Sequence, residues 1–501
     1  MVTDCGMPAR ARDSFREHGL PGRRLAKRVK ESGHRCAFRA AILIAIALVL
    51  PDKAPAETIQ QALASAYEDN PQLNAQRALV RQSDEGVAQA LSGYRPTLSG
   101  NVSVGREHTN ETEVFPPIPG TALTQGASIN IQGPTTPRSV GVTASQTLFN
   151  GAQTANKVRA AESQVFAARE TLRVMEQSVL LAAATVYMDM LRDSASLEVQ
   201  QTNVKVLDHE LQDTRQRFAA GQITDTDVAQ AEAQLAGGEA TLHAAESTLM
   251  TTRANYRRII GHEPENLAPA SPVERLAPST LNAAIAAGTA QNPSVTAALY
   301  GVDVAVLQVK IAEGALWPSL TAQANVDRQW DANLTTPKLF TESAMLNLSI
   351  PFYQGGAEYS TIRQDKEAVG QQRLNVDQVR DQARADVVEA WGQLLAAKAQ
   401  VEAAQRQVAA AERALTGVRN EALAGQRTTQ DVLNAQQVLV NARLSLIIAQ
   451  HDRVVASYSL LSAVGRLSPQ ALDLPVSIYD PTTHYHQVRD VWFGLRTPSG
   501  Q

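Results

Sequence analysis

Between residues 183 and 218 an apolar residue returns at every seventh position: Ala183, Met190, Leu197, Val204, Leu211 and Phe218. The same stripe stands again further along as Val387, Leu394, Val401, Val408, Leu415 and Ala422. A seven-residue apolar period is the seam of a coiled coil. Two shorter stretches carry it too, Val228, Leu235, Leu242, Leu249 and Tyr256 in one, and Val432, Leu439 and Leu446 in the other before Arg453 breaks it. One such stripe fits any amphipathic bundle, but four in matching register predict packed coiled coils. Residues 152–219 are long enough for a helix of about 100 Å, at roughly 1.5 Å per residue, whereas a return helix over 225–260 spans only about half of that. Helices expected at 57–92 and 279–314 have the size to cover the remainder, so two short helices are expected to stack end to end beside each long one.

Between the helices the period changes to two. Leu320, Ala322, Ala324 and Val326 alternate with Thr321, Gln323, Asn325 and Asp327, and Ala344, Leu346, Leu348, Ile350 and Phe352 alternate with Met345, Asn347, Ser349 and Pro351. Val102 and Val104, and Val140, Val142 and Ala144, do the same earlier in the chain. Such alternation predicts strands with one apolar and one polar face, expected at about 97–105, 139–149, 319–328 and 343–353. Strands of roughly ten residues match the length that crosses a bilayer when tilted, although a soluble layer over a core has the same pattern.

The matching registers reflect a duplication. Residues 220–228, AGQITDTDV, return 204 positions later as AGQRTTQDV, with six of nine residues unchanged. At the same offset Gly151 faces Gly355 and Gly261 faces Gly465, while upstream the offset becomes 222, where Asn70-Pro71 matches Asn292-Pro293 and Pro96-Thr97-Leu98 matches Pro318-Ser319-Leu320. One unit of about 200 residues is thus written twice, as 57–270 and 271–474, followed by a tail, 475–501, expected to be partly disordered beyond about Asp480.

Composition narrows the class. Aromatic residues make up only 5% of the 501, and alanine and glutamine are abundant, which favours long helices over a large globular core. Residues 1–36 are basic and polar, an apolar run follows from Ala40 to Leu50, and Ala54-Pro55-Ala56 offers a small-x-small cleavage site, so 1–56 reads as a secretory signal. Beyond it 35 Lys and Arg face 45 Asp and Glu, a net charge of −10 that argues against nucleic acid as a partner. Both cysteines, Cys5 and Cys36, fall in the signal, so disulfides are not expected. Phosphate loops, nucleophile elbows and metal-ligand clusters are absent from 57–501; His484-Tyr485-His486 offers two imidazoles without a third ligand. Neither an enzyme, a cofactor nor a metal is expected.

Four strands cannot close a barrel, and an open edge in lipid leaves backbone groups unpaired. The smallest single-chain bacterial barrels have about eight strands, so several chains must share one, and three would supply twelve. The Pro-, Gly- and Thr-rich segment 106–138 and the shorter 331–340 are then outer loops.

Taken together, the two repeats, the Asn-Pro and Pro-Thr/Ser-Leu signatures, the glycine strand exits and the paired glycine turns resemble the TolC-type outer membrane factors. The resemblance runs from about Glu57 to about Leu474. It implies a mixed α and β fold, a trimeric twelve-stranded β-barrel on a twelve-helix periplasmic tunnel, located in the outer membrane. It also implies a role as exit duct of a tripartite efflux pump or type I secretion system, with a periplasmic membrane fusion (adaptor) protein and an inner-membrane transporter of RND or ABC type as partners. The turns at Gly221 and Gly425 would be its periplasmic tips. On that pattern Arg427 corresponds to a gating arginine, Thr226 and Asp227 to its partners on the neighbouring turn, and Asp431 with Asn434 to a pore-constricting ring. Asn434 stands where the family pattern has a second acid, and Ala422 where some members have a tyrosine latch.

A purely local reading explains most of the same residues. Gly221 and Gly425 end helices in left-handed geometry, and Thr224 with Asp227, like Thr428 with Asp431, has the spacing of a capping box. Capping does not account for Arg427, where the other copy has Ile223. The rival function is a periplasmic coiled-coil adaptor, which has no need of membrane-length strands.

Overall fold

The computed structural model describes residues 56–117, 119–120, 127–498 and Gly500. The expected signal lies outside these residues except for Ala56. Helices α1 (Ile59–Asp69) and α2 (Pro71–Leu91) lead into strands β1 (Thr97–Val104), β2 (Glu107–Phe115), β3 (Ala127–Thr135) and β4 (Arg138–Asn150), then the long helix α3 (Gln153–Ala219) and its return α4 (Asp225–Ile260). The sequence of elements recurs as α5 (Leu281–Gln291), α6 (Pro293–Gly314), β5 (Ser319–Trp330), β6 (Lys338–Ser349), α7 (Ala357–Leu423) and α8 (Thr429–Ala463), and ends with α9 (Pro481–Val488). Both long helices have 67 residues, about 100 Å.

The helices expected at 57–92 and 279–314 are each two, broken at the Asn-Pro pairs. Proline at the first helical position lacks an N–H that the helix would not use there, and the preceding asparagine caps the new helix. Asn70 accepts from the N–H of Gln72 at 2.9 Å, and Asn292 from that of Ser294 at 2.9 Å. Each asparagine amide also donates to the end of the return helix in its own half, Asn70 to the Ile259 carbonyl at 3.1 Å and Asn292 to that of Ala463 at 3.3 Å. The signature therefore fastens the short helix pair to the coiled coil.

On α3 a second stripe, Val158, Val165, Leu172, Val179 and Val186, is buried beside the predicted one, and the predicted Phe218 is 44% exposed. The two stripes together form the a and d positions of the seam. The main core lies at mid-height, where α1, α2, α3, α4 and α8 bury Leu63, Tyr67, Leu180, Tyr187, Tyr256, Ile260 and Leu461. The Tyr187 hydroxyl sits 2.8 Å from the Glu57 carbonyl and 2.6 Å from that of Ala268, so the entry and exit of this half are held together.

Strands β1, β4, β5 and β6 form one antiparallel sheet in the order β1-β4-β5-β6. The β4–β5 pairing joins the two halves, with Val142 opposite Val326 and a bulge between Thr147 and Phe149. Leu98, Val102, Val140, Val142, Ala144, Ala322, Ala324, Val326, Leu346 and Leu348 share one face, and Ser99, Asn101, Thr143, Gln323, Asn325 and Asn347 the other. Strand β6 runs over 338–349 rather than 343–353. It starts early because the 331–337 hairpin closes at once, the Asp331 N–H donating to the Pro337 carbonyl at 2.9 Å, and it stops before Pro351, which has no N–H for a ladder.

Two expectations are corrected. Segment 106–138 is not simply a loop: β2 and β3 pair as a second hairpin from Glu107 opposite Thr135 to Phe115 opposite Ala127. Its strand Glu-His-Thr-Asn-Glu-Thr-Glu-Val-Phe has no apolar face, so side-chain alternation carried no signal, and backbone pairing holds it. Part of the tail is ordered: Pro481–Val488 form α9, capped by Asp480, whose carboxylate accepts from the Thr482 N–H at 2.8 Å. The helix docks through His484, 3.0 Å from the fully buried Asp84, and through the Tyr485 hydroxyl, 3.4 Å from Glu162.

Candidate functional site

Far from the sheet, each coiled coil reverses at one of the twin turns. Helix α3 ends as Gly221 adopts φ +72°, with its N–H on the Phe218 carbonyl at 2.8 Å and that of Gln222 on Arg217 at 3.0 Å. Helix α7 ends the same way at Gly425, φ +76°, where the Gln426 N–H meets the Glu421 carbonyl at 2.9 Å. This is the bonding that closes a helix through a left-handed glycine.

The next helix then starts on a capping box. The Thr224 N–H and hydroxyl donate to the Asp227 carboxylate at 2.9 and 2.7 Å. Those of Thr428 donate to Asp431 at 3.0 and 2.9 Å. These bonds, the backbone N–H first and the hydroxyl second, hold both carboxyls below the usual carboxylate range. Both acids therefore stay ionised while they cap. Asn434 lies one turn further along α8, exposed, and accepts from the Gln430 amide at 3.0 Å. Thr226 is exposed on the first turn of α4.

Arg427 is exposed, and its Nε donates to Glu421 at 2.9 Å. That hydrogen bond, followed by the charges of Glu421 and Asp431, raises the guanidinium further. Within the chain the partner of Arg427 is thus Glu421, on the last turn of α7. Sequence reasoning missed Glu421, six residues upstream, whose counterpart in the first copy is Arg217. An acid in one copy and a base in the other was the available signal. Between the two tips lies a cleft of about 820 Å³, lined by His209, Asp213 and Gln222 on one side and by Ala422, Leu423 and Thr429 on the other.

Higher up, α3 meets α8 through a charged cluster that sequence reasoning also missed. His451, 8% exposed, contacts Asp189 at 3.0 Å and Asp452 at 2.8 Å. Arg192 bridges Asp189 at 2.7 Å and Asp193 at 2.8 Å, and Asp193 accepts from Thr252 at 2.6 Å. Burial alone would lower the imidazole, but the hydrogen bonds to Asp189 and Asp452 outweigh it and hold His451 above its ordinary value. A folded state that binds this proton more tightly is stabilised fully below the unfolded value, and loses that stability as pH rises through the elevated one. The melting temperature is expected to fall as pH rises above the ordinary imidazole value of about 6.5, and His451→Gln to flatten that decline. Circular dichroism melts of both proteins check this; an equally steep decline in the variant would refute it.

No group of three or more His, Cys, Asp and Glu arranged to hold a metal ion occurs among the described residues.

The chain matches the family described as outer membrane efflux protein over residues 59–262 and 285–466. It is 40% identical over 464 residues to the outer membrane efflux protein BepC of Brucella suis biovar 1, across 92% of this chain and 97% of that one. Its identity to the outer membrane protein TolC of Vibrio cholerae is 26%, across 83% and 92% of the two chains. Among solved structures, the Campylobacter jejuni CmeC outer membrane channel superposes with a TM-score of 0.70 at 15% identity, covering 86% of this chain and 89% of that one. That last likeness is one of fold.

Proposed function

The chain belongs to the outer membrane efflux protein family and is an outer membrane protein, and from that premise we propose that three copies form one exit duct. The observation that carries the proposal is the sheet β1-β4-β5-β6. Both outer strands, β1 and β6, keep an edge with no strand partner among the described residues, while one sheet face is apolar and the other polar. A sheet that crosses lipid cannot keep open edges, so β6 of one protomer pairs with β1 of the next. Three copies close about twelve strands, with the apolar face towards lipid and the polar face lining the pore. The stretch Leu281–Gly314 supports the same reading: it is long and apolar enough to cross a membrane, yet only 11% of its apolar window is buried within the protomer. A neighbouring protomer would cover it.

In this assembly the coiled coils make the periplasmic tunnel, and the tips at Gly221 and Gly425 close it. Arg427 with Thr226 and Asp227 of a neighbouring turn would form the gate, and three copies of Asp431, with Asn434 beyond, the constriction. A periplasmic adaptor protein and an inner-membrane transporter of RND or ABC type would dock below and deliver efflux or type I secretion substrates. A coiled-coil adaptor, the rival reading, leaves the two-faced sheet without a use.

Extraction tests the assembly. The protein is expected to leave cells only with the outer membrane and detergent, as a trimer by light scattering that SDS dissociates. A detergent-free periplasmic monomer would refute the duct.

A further inference from the structure

The register of the sheet gathers cations at one end of its apolar face. Arg138 lies opposite Trp330, and Trp330 opposite Lys338, so one lateral row across three strands reads Arg, Trp, Lys. In the next row Val140 lies opposite Arg328, and Arg328 opposite Phe340. The Arg328 guanidinium stands 5.2 Å from the Trp330 ring centroid. Towards the helices the same face continues with Gly100, Val142, Val326 and Glu342, then Leu98, Ala144, Ala324 and Ala344, then Gln146, Ala322 and Leu346, and ends on Leu320 and Leu348. Among the described residues Arg138, Arg328 and Lys338 are its only cations, all in the two rows nearest the hairpins. The anions close to them are Glu342 and Asp331, the latter 3.4 Å from Arg138 in the turn.

We propose that these three cations bind the phosphate groups of a phosphorylated lipid in the outer leaflet. The inference rests on the duct reading, in which this face meets lipid and the hairpins point outward. A Lys or Arg on the lipid face is costly at mid-membrane and cheap near the interface, so confinement to the hairpin end marks the headgroup level. Trp330 and Phe340 stand where aromatic belts stand. Neighbouring strands are about 4.8 Å apart and alternate rows about 7 Å, which puts all three cations within reach of one headgroup. The guanidinium forks of Arg138 and Arg328 match phosphate oxygens in pairs. Lipid, rather than protein, is the occupant because, beyond Glu342, the face beneath the patch is a mostly apolar wall.

Trp330 sits inside the patch and reports on it. In a protein carrying Trp317→Phe, Trp391→Phe and Trp492→Phe, in detergent, Trp330 emission is titrated with lipid A and with the same lipid after phosphatase treatment. The phosphorylated form is expected to saturate the change at a concentration at least about tenfold lower, and Arg138→Gln, Arg328→Gln and Lys338→Gln together to erase the difference. Lys338→Gln alone, on the outer strand, is expected to narrow it, and carries the test should the triple variant not fold. Equal titration by both lipids, or a preference that survives the substitutions, overturns the proposal. A protein soluble and monomeric without detergent defeats the duct instead, so the two failures are distinct.

Discussion

Gly151→Ala is expected to abolish assembly, whereas Gly221→Ala leaves it intact. Both glycines are left-handed, at φ +63° and +72°. That geometry alone costs an alanine roughly 1 kcal/mol. The difference lies in what a β-carbon would meet. At Gly221 it meets nothing within 4 Å, but at Gly151 it runs into the Gly314 carbonyl and lies 2.8 Å from the Trp317 β-carbon. Gly151 is where the first half turns from sheet into α3, and Gly314 ends α6 just before β5, so this is where the two halves of the chain meet above the helices. The obstacle is backbone, which cannot rotate away. The cost is on the order of 3 kcal/mol or more, a large share of the stability of a typical domain. Gly465→Ala is expected to follow Gly151, because its β-carbon would lie 2.8 Å from the Asn292 α-carbon and 2.9 Å from the Gln291 carbonyl. Yield of SDS-sensitive oligomer from outer membranes separates the cases. Normal yield from Gly151→Ala would mean that this junction is looser than the structure has it.

The contrast also explains which parts of the fold were legible in the sequence. The coiled coils and the four sheet strands could be read because one apolar side imposes a period, seven for the helices and two for the strands. The twin turns could be read because left-handed geometry and helix starts demand particular residues, glycine and then Thr-x-x-Asp. Where no such demand exists the pattern is silent. Strand β2 has no apolar face and is held by backbone pairs to β3, so its side chains carry no alternation. Helix α9 is short, and its anchors are His484 against the buried Asp84 some 400 residues earlier and Tyr485 against Glu162, pairings that no local period encodes. The site was legible to the same extent. Gly221, Gly425, Asp227 and Asp431 follow from local rules, but the partner of Arg427 depends on which way a long side chain folds back across its turn.

Channel conductance is where that partner matters most, because in the proposed gate Glu421 and Asp227 would compete for one guanidinium. In the protomer Arg427 lies on Glu421 at 2.9 Å, while Asp227 is occupied by the Thr224 N–H and hydroxyl. If the closed duct is held by Arg427 reaching Asp227 on the neighbouring turn, that tie must draw the guanidinium away from its own helix end. Removing the tie and removing the rival then act in opposite directions. Arg427→Ser with Asp227→Ala is expected to raise single-channel conductance in planar bilayers about threefold, since exposed ion pairs are individually weak and three must act together. Glu421→Gln, which leaves Arg427 free for Asp227, is expected to lower it. An increase in both would assign Arg427 to bracing its own turn, and no change in either would remove it from the gate. Asp431 is read separately through selectivity. Its carboxyl is held ionised by the Thr428 N–H and hydroxyl, so three copies at the proposed constriction would attract cations and repel anions. Asp431→Asn should move the reversal potential in a salt gradient towards zero with little change in folding, because asparagine still accepts the capping hydrogen bonds. A potential that does not move would place these three carboxylates away from the narrowest part of the pore.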